Sequence, residues 1–295
     1  MKRTERTFIP GSQWFYFKLY TGVKTADNIL IQDISLFIHL LNQKKLIQKW
    51  FFIRYSDTDF HLRIRMLIQD EASIGEVLSL FYKKMNVLVK KRLVWNIQLD
   101  TYNRELERYG GDLIEEAESV FYIDSECIVS VLKKLRYQNE NYRWMIALKM
   151  IDSLLSDFSF DLASKQYFMQ ELSLSFKKEF NFHEQNSKQF NTKYREHKTT
   201  VEKVLTGEIE DNNFKILYPV ILKKSKRIKP VILLLMAKME RNRTSITLQS
   251  MLGSYIHMMI NRLFRSKNRI HELVLYEFMN RYYKSEIAKS KYRTE

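Results

Sequence analysis

Residues 14–20, "WFYFKLY", are apolar or aromatic at every position but Lys18, a strand-prone segment. "TGVKTAD" after it reads as a turn, with Asp27 placed to cap a helix. Over residues 28–42, Leu30, Ile34, Phe37, Ile38 and Leu41 recur at helical spacing. "KWFFIRY" (49–55) and "FHLRIRMLI" (60–68) return to strand patterning across the polar turn "SDTD", which predicts a hairpin. A second helix is predicted over 73–90, with Ser73 and Glu76 at capping-box spacing, and "LVWNIQLDTYN" (93–103) is predicted as a fourth strand.

The order βαββαβ predicts an α+β fold: a ferredoxin-like, four-stranded antiparallel sheet with helices on one side. Alternation assigns Phe15, Phe17, Leu19, Phe51, Ile53, Leu62, Ile64, Trp95, Ile97 and Leu99 to the helix-covered face. The opposite face is expected to collect Trp14, Tyr16, Lys18, Arg54, His61, Arg63, Arg65, Asn96 and Gln98. Beyond residue 111 the pattern is helical, over 112–122, 124–137, 141–157, 161–180, 195–206, 214–241 with interruptions at Pro219 and Pro230, 249–265 and 268–287. The polar stretches 183–200 and 206–213 read as loops. The division is thus a ferredoxin-like part, 1–111, and a mostly helical C-terminal half, 112–295, within one composite domain. Laid over the open sheet face, the helical half makes the arginine-bearing side a cleft.

Composition narrows the function classes. A length of 295 residues with 45% hydrophobic content supports a sizeable core. The single cysteine, Cys127, excludes an internal disulfide and a thiolate zinc cluster within the chain. The six histidines show no metal-ligand pairing, so neither metal nor organic cofactor is expected. No signal peptide is legible at the start, and the most apolar run, "VILLLMA" at 231–237, is too short to span a bilayer. These features point to a soluble cytoplasmic protein. The formal charge of +15 favours anionic partners, but the lysines are spread along the chain rather than gathered in one tail.

Three segments carry candidate chemistry. In "HLRIR" (61–65), His61, Arg63 and Arg65 share one strand face, an arrangement also met in an ordinary half-exposed strand. "TYNRELERYGG" (101–111) places Arg104 and Arg108 near a turn that Gly110 and Gly111 make possible; an ion-paired strand-to-helix connection has the same pattern. "GSYIHMMINRLF" (253–264) aligns Ser254, His257 and Asn261 on one helical face with Arg262 beside them, where a packing histidine is the plainer reading.

Together, "FFIRYSDTDFHLRIR", "YNRELERYGG" with "AESVFYIDSE", and "SYIHMMINRLF" with "FMNRYYKS" resemble the C-terminal elimination domain of lantibiotic dehydratases, which also occurs as a separate protein in thiopeptide pathways. The likeness runs from Trp14 to about Lys284, with the blocks in the family's order. It implies a lyase acting on a ribosomal precursor peptide. A partner esterifies Ser or Thr with glutamate from glutamyl-tRNA, and this domain expels the glutamate to leave dehydroalanine or dehydrobutyrine. The resemblance puts the catalytic arginines at Arg63, Arg65 and Arg104, with Arg108 the less favoured choice in the second block, and the catalytic histidine at His257. Arg54, His61, Arg108, Tyr109 and Asn261 are expected to contact substrate. Only 13 residues precede Trp14, so a separate glutamylating partner is expected; a cyclase partner and direct tRNA contact stay open.

Arginine suits this chemistry, because a planar guanidinium holds a carboxylate bidentately where lysine offers a point charge. Elimination also needs a base for a weakly acidic Cα proton, which a histidine can supply near neutral pH. Two alternatives remain at this level: the aza-cycloaddition that builds the pyridine of thiopeptides, and a non-catalytic scaffold binding peptide or tRNA.

Overall fold

The computed structural model describes residues 4–135, 140–242 and 246–293. The chain is α+β, with a small antiparallel sheet in the N-terminal part and helices thereafter. It forms two compact units, Met1–Lys133 with Pro230–Ser266, and Lys134–Lys229 with Lys267–Glu295.

The strands are β1 (Thr7–Phe8), β2 (Trp14–Tyr20), β3 (Ile47–Ser56), β4 (Phe60–Ile68), β5 (Asn96–Leu99) and β6 (Tyr102–Asn103). The helices are α1 (Val23–Asn28), α2 (Ser35–Gln43), α3 (Ile74–Lys90), α4 (Leu106–Tyr109), α5 (Ile114–Leu135), α6 (Tyr142–Asp157), α7 (Leu162–Glu179), α8 (Glu184–Thr206), α9 (Asn212–Lys215), α10 (Tyr218–Asn242), α11 (Leu248–Leu263) and α12 (Asn268–Arg293). A π-helical segment, Ile29–Ile34, joins α1 to α2.

In the first unit the main sheet runs β3–β4–β2–β5, every neighbouring pair antiparallel. Phe15 and Phe17 of β2 pack edge-on against Phe81 of α3, with centroids 5.3 and 4.7 Å away, and Phe37 of α2 completes that cluster. Rings buried this fully contribute about 1.5–3 kcal/mol each in transfer energy. The hairpin β3–β4 and α3 lie within a few residues of the segments their patterning predicts. The expected fourth strand is shorter. Asp100 and Thr101 interrupt it, leaving β5 on the main sheet and β6 paired with β1, an edge too short to show in the sequence pattern.

Several assignments of the sequence reading are corrected. Register places Phe51 opposite Arg65 and Ile53 opposite Arg63, so these apolar residues lie on the arginine face, while Arg54 lies opposite Leu62 on the other face. "KWFFIRY" is apolar at almost every position, so period-2 alternation cannot say which residues face which way. An irregularity between Ile47 and Lys49 shifts the register there. Arg54 is buried against Asp27, at 2.6 Å, and donates to the Arg262 carbonyl at 3.0 Å. Asp27 is therefore no cap but a buried counter-ion, which also accepts from Arg265 at 2.7 Å. Trp95, expected inside, is 57% exposed because β5 begins after it.

A further correction concerns residues 183–200, expected as a loop: from Glu184 on they belong to α8, with His183 as its N-cap. Their glutamates, lysines and glutamines are good helix formers, and half-buried Tyr194 and His197 with buried Val201 and Val204 form a thin inward stripe. The second unit seats that stripe, with Tyr194 edge-on to Phe278 at 5.4 Å and His197 5.2 Å from Trp144. Segments 112–122 and 124–137, expected as two helices, form the single helix α5, with residues 136 and 137 outside the described residues. Pro219 sits in the first turn of α10, where its missing N–H costs nothing, and Pro230 stands inside the same helix.

Candidate active site

The arginine face of the sheet is roofed within the first unit by α5 and α11. Asn261 of α11 fastens itself to the edge strand β3: its amide donates to the Arg54 carbonyl at 2.8 Å and accepts from the Arg54 N–H at 2.9 Å. A side-chain amide thereby does what a neighbouring strand would do and blunts the edge. One residue on, Arg262 is 1% exposed. Its Nε donates to the Phe52 carbonyl at 2.8 Å and its Nη1 to Asp124 of α5 at 3.0 Å. Asp124 is thus a buried anchor within α5 rather than a break in it.

Between sheet and roof lies a cavity of about 50 Å³ with walls that include Phe51, Ile53, Arg65, Tyr102, Glu105, Tyr109, Phe121, Met258 and Arg262. Arg65 sits in an aromatic cage, its guanidinium carbon 4.4 Å from the Tyr16 ring centre, 4.8 Å from Tyr102 and 5.5 Å from Phe51. These π-faces stabilise the cation and leave its N–H groups for a ligand. Its buried Nε has no hydrogen-bond partner among the described residues. Tyr109 stacks on Tyr255, with planes 12° apart and centres 5.9 Å apart, and burial pushes its phenol up to about 12. Tyr109 is therefore a protonated donor at neutral pH.

The neighbouring positions of "HLRIR" behave differently. Arg63 lies 3.5 Å over the Tyr55 ring and its Nε donates to His61 Nε2 at 3.0 Å. That bond needs an unprotonated Nε2, which leaves Nδ1 to donate to the Asp59 carbonyl at 3.0 Å. Burial also pulls the His61 pKa below its ordinary value. His61 is neutral, so "HLRIR" brings two cations to the face rather than three, and Lys18 of β2 lies on the same face opposite Arg63.

Arg104 points elsewhere. It grips Glu118 of α5 through two bonds of 2.7 Å, and the same carboxylate accepts from the Tyr102 hydroxyl at 3.0 Å. Arg104 lines a separate, larger polar groove of about 640 Å³ with Lys49, Glu118, Lys238 and Arg241 among its walls. Arg108 is half-exposed and pairs with Glu105 at 3.1 Å, beside the small cavity. Gly110, at φ +82°, allows the chain to turn there; a Cβ would only reach ordinary contact with Leu113 and Ile246, so the backbone conformation is what calls for glycine. His257 is half-buried on α11, one residue before Met258, and is not among the described wall residues of the cavity. Of the residues expected at one site, Arg65 and Tyr109 share the cavity, and Arg108 pairs with its wall residue Glu105. Arg104 is engaged by Glu118, and Asn261 and Arg54 hold the scaffold. Tyr16, Tyr102 and Arg262 enter from outside that expected set; the aromatic positions alternating with Arg65 across the sheet are their one sequence-level trace.

No cluster of three or more His, Cys, Asp or Glu residues suited to a metal ion occurs among the described residues. No helix among them is long and apolar enough to cross a membrane.

Residues 14–283 match the family described as lantibiotic biosynthesis dehydratase, C-terminal part. The chain belongs to this family. Among curated relatives, the subtilin biosynthesis protein SpaB of Bacillus subtilis is 26% identical over 284 residues, covering 92% of this chain and 26% of SpaB. The chain thus spans about a quarter of the length of that relative. Among solved structures, MibB of Microbispora sp. 107891, titled a tRNA dependent lantibiotic dehydratase, superposes with a TM-score of 0.75 at 20% identity over 96% of this chain and 29% of MibB. TbtD, titled a pyridine synthase from thiomuracin biosynthesis, superposes with a TM-score of 0.69 at 10% identity over 93% of this chain and 98% of TbtD. These likenesses show that the fold is shared with a lantibiotic dehydratase and with a pyridine synthase.

Proposed function

We propose that this dehydratase-family chain eliminates glutamate from glutamylated Ser or Thr of a precursor peptide, with glutamylation performed by a partner that draws on glutamyl-tRNA. The observation that carries the reading is Arg65, a caged guanidinium with an unused N–H at the wall of a small cavity, beside a protonated tyrosine. In this reading a base takes the Cα proton of the modified residue. The electron pair forms the Cα–Cβ double bond, the Cβ–O bond breaks, and glutamate departs as a carboxylate. Positive groups set in place beforehand favour that departure more than they favour the bound ester. Arg65 faces the developing charge, with Arg63 next to it on the strand. His257 is assigned the proton transfer. Between the two arginines of the second block, Arg104 is held by the buried Glu118, whereas Arg108 pairs with the exposed Glu105, a wall residue of the cavity, which supports Arg108 for the role. The same reading takes the four-stranded sheet, in its order β3–β4–β2–β5, as a ferredoxin-like platform for the site.

The test is to incubate the purified protein with a glutamylated precursor and follow the mass. Conversion of the ester to the dehydro peptide with release of glutamate supports elimination, and persistent ester overturns it. Consumption of an already dehydrated peptide with ring formation would point to cycloaddition instead.

A further inference from the structure

The two edges of the main sheet are finished differently. On β3, Ser125, Asn261 and Arg262 bond the outward main-chain groups of Phe52 and Arg54, so side chains close that edge. β5 has β2 on one side and, among the described residues, no strand on the other. The Asp100 N–H donates to the Tyr16 carbonyl at 3.1 Å, so by alternation the main-chain groups of Ile97 and Leu99 turn to the open side. Natural edge strands are commonly guarded by lysine, proline or another charge, and Asn96–Leu99 has none of these.

Apolar side chains flank this bare edge. Trp95 and Leu99 are 57% and 43% exposed, and α3 adds the exposed Leu78, Tyr82 and Val89 in one stripe. That stripe lies on the β5 side. α3 rests on β2 through Phe81 and turns Lys84 to Asp33 on the side of α2, and helical spacing puts Leu78, Tyr82 and Val89 on the opposite flank. An uncharged strip beside unpaired main-chain groups, on a chain of charge +15, suits an uncharged extended partner.

We propose that this edge docks a second copy of the chain, β5 against β5, about a twofold axis at Ile97. In that register the segment is complementary to itself. Ile97 meets Ile97, Asn96 meets Gln98 on either side of it, and beyond them Trp95 of one chain comes against Leu99 of the other. Tyr20 donates to Gln98 Oε1 at 3.2 Å, which leaves the Gln98 amide N–H groups to donate to Asn96 of the second copy. The ion pair beside the edge, Lys18 with Asp100 at 2.7 Å, is neutral as a whole, so like charges do not face each other there. The two sheets join into one, with both arginine faces on the same side.

Sedimentation at rising protein concentration is expected to show a monomer–dimer equilibrium with a Kd on the order of 10 μM, as suits a small contact. Added salt should tighten the dimer by screening the repulsion between two chains of charge +15. Trp95→Lys with Leu99→Lys sets lysine against lysine and should weaken the dimer about tenfold or more, as should Trp95→Glu with Leu99→Glu. Mixing the two variants should restore a heterodimer, which also shows that both fold. In wild type, dilution should speed hydrogen exchange at the Ile97 and Leu99 amides, a readout that needs no variant. A wild type that stays monomeric, exchange at Ile97 that ignores concentration, or a dimer unchanged in the lysine variant overturns the proposal. Protection of these amides only on adding precursor peptide assigns the edge to that peptide and likewise overturns it.

Discussion

Arg65 and Arg104 show how one residue type takes two roles in this fold. Arg65 is held by rings, which stabilise its charge without using its N–H groups; Arg104 is held by a carboxylate, which uses them. Lysine would keep the charge at 65 but lose the planar donor fork. Arg65→Lys is therefore expected to lower kcat for elimination by about 100-fold while shifting Tm little. Arg104→Gln is expected to do its main damage to stability. It strips Glu118, a 1% exposed carboxylate, of its paired cation, at a cost of about 3–5 kcal/mol. Burial already holds the Glu118 carboxyl above its ordinary pKa despite Arg104 and Tyr102. Losing Arg104 raises it further, so the native variant holds a proton that the unfolded chain has released. Stability then falls as pH rises through this raised range. Denaturant midpoints should show Arg104→Gln closest to wild type at acid pH and furthest from it above neutrality; a gap independent of pH would contradict the assignment.

At the scale of elements, the decisive join is α11 against β3. Asn261 satisfies both main-chain groups of Arg54, and Arg262 satisfies the Phe52 carbonyl two residues away, so the helix is fastened in one register along the strand. Asn261→Ala leaves a donor and an acceptor of the strand without their partner, at about 1–3 kcal/mol. The expected result is a lower Tm together with faster hydrogen exchange at the Arg54 amide; unchanged exchange there would remove the clamp from the account. Elements with a clean period were legible from sequence alone. β2, the β3–β4 hairpin, α3, α6 and α7 fall close to their predicted spans, because strand-prone aromatic runs and helical apolar spacing, each bounded by polar turn residues, are local signals. The face of β3 and the helicity of residues 183–200 were not legible. A strand buried on both faces has no polar side to count from, and a polar helix advertises only a thin stripe of contacts.

At the scale of the whole molecule, the chain carries a net charge of +15, and the cation to which the proposed function gives the work, Arg65, is caged by rings. Exposed charges are screened over about 8 Å at physiological ionic strength, whereas caged ones are screened much less. Raising salt should therefore increase KM for an anionic glutamylated peptide and leave kcat nearly constant, as steady-state rates at several ionic strengths would reveal. A parallel fall in kcat would place the essential arginine in solvent. The sequence by itself determined the α+β class, the placing of His61, Arg63 and Arg65 on one strand face, and the blocks that mark the family, because these depend on local period and residue type. The tertiary structure alone decided which arginine is free to meet a ligand. Glu118 and Asp124 reach their arginines from 14 and 138 residues away, and a pairing across such separations leaves no periodic trace in the chain.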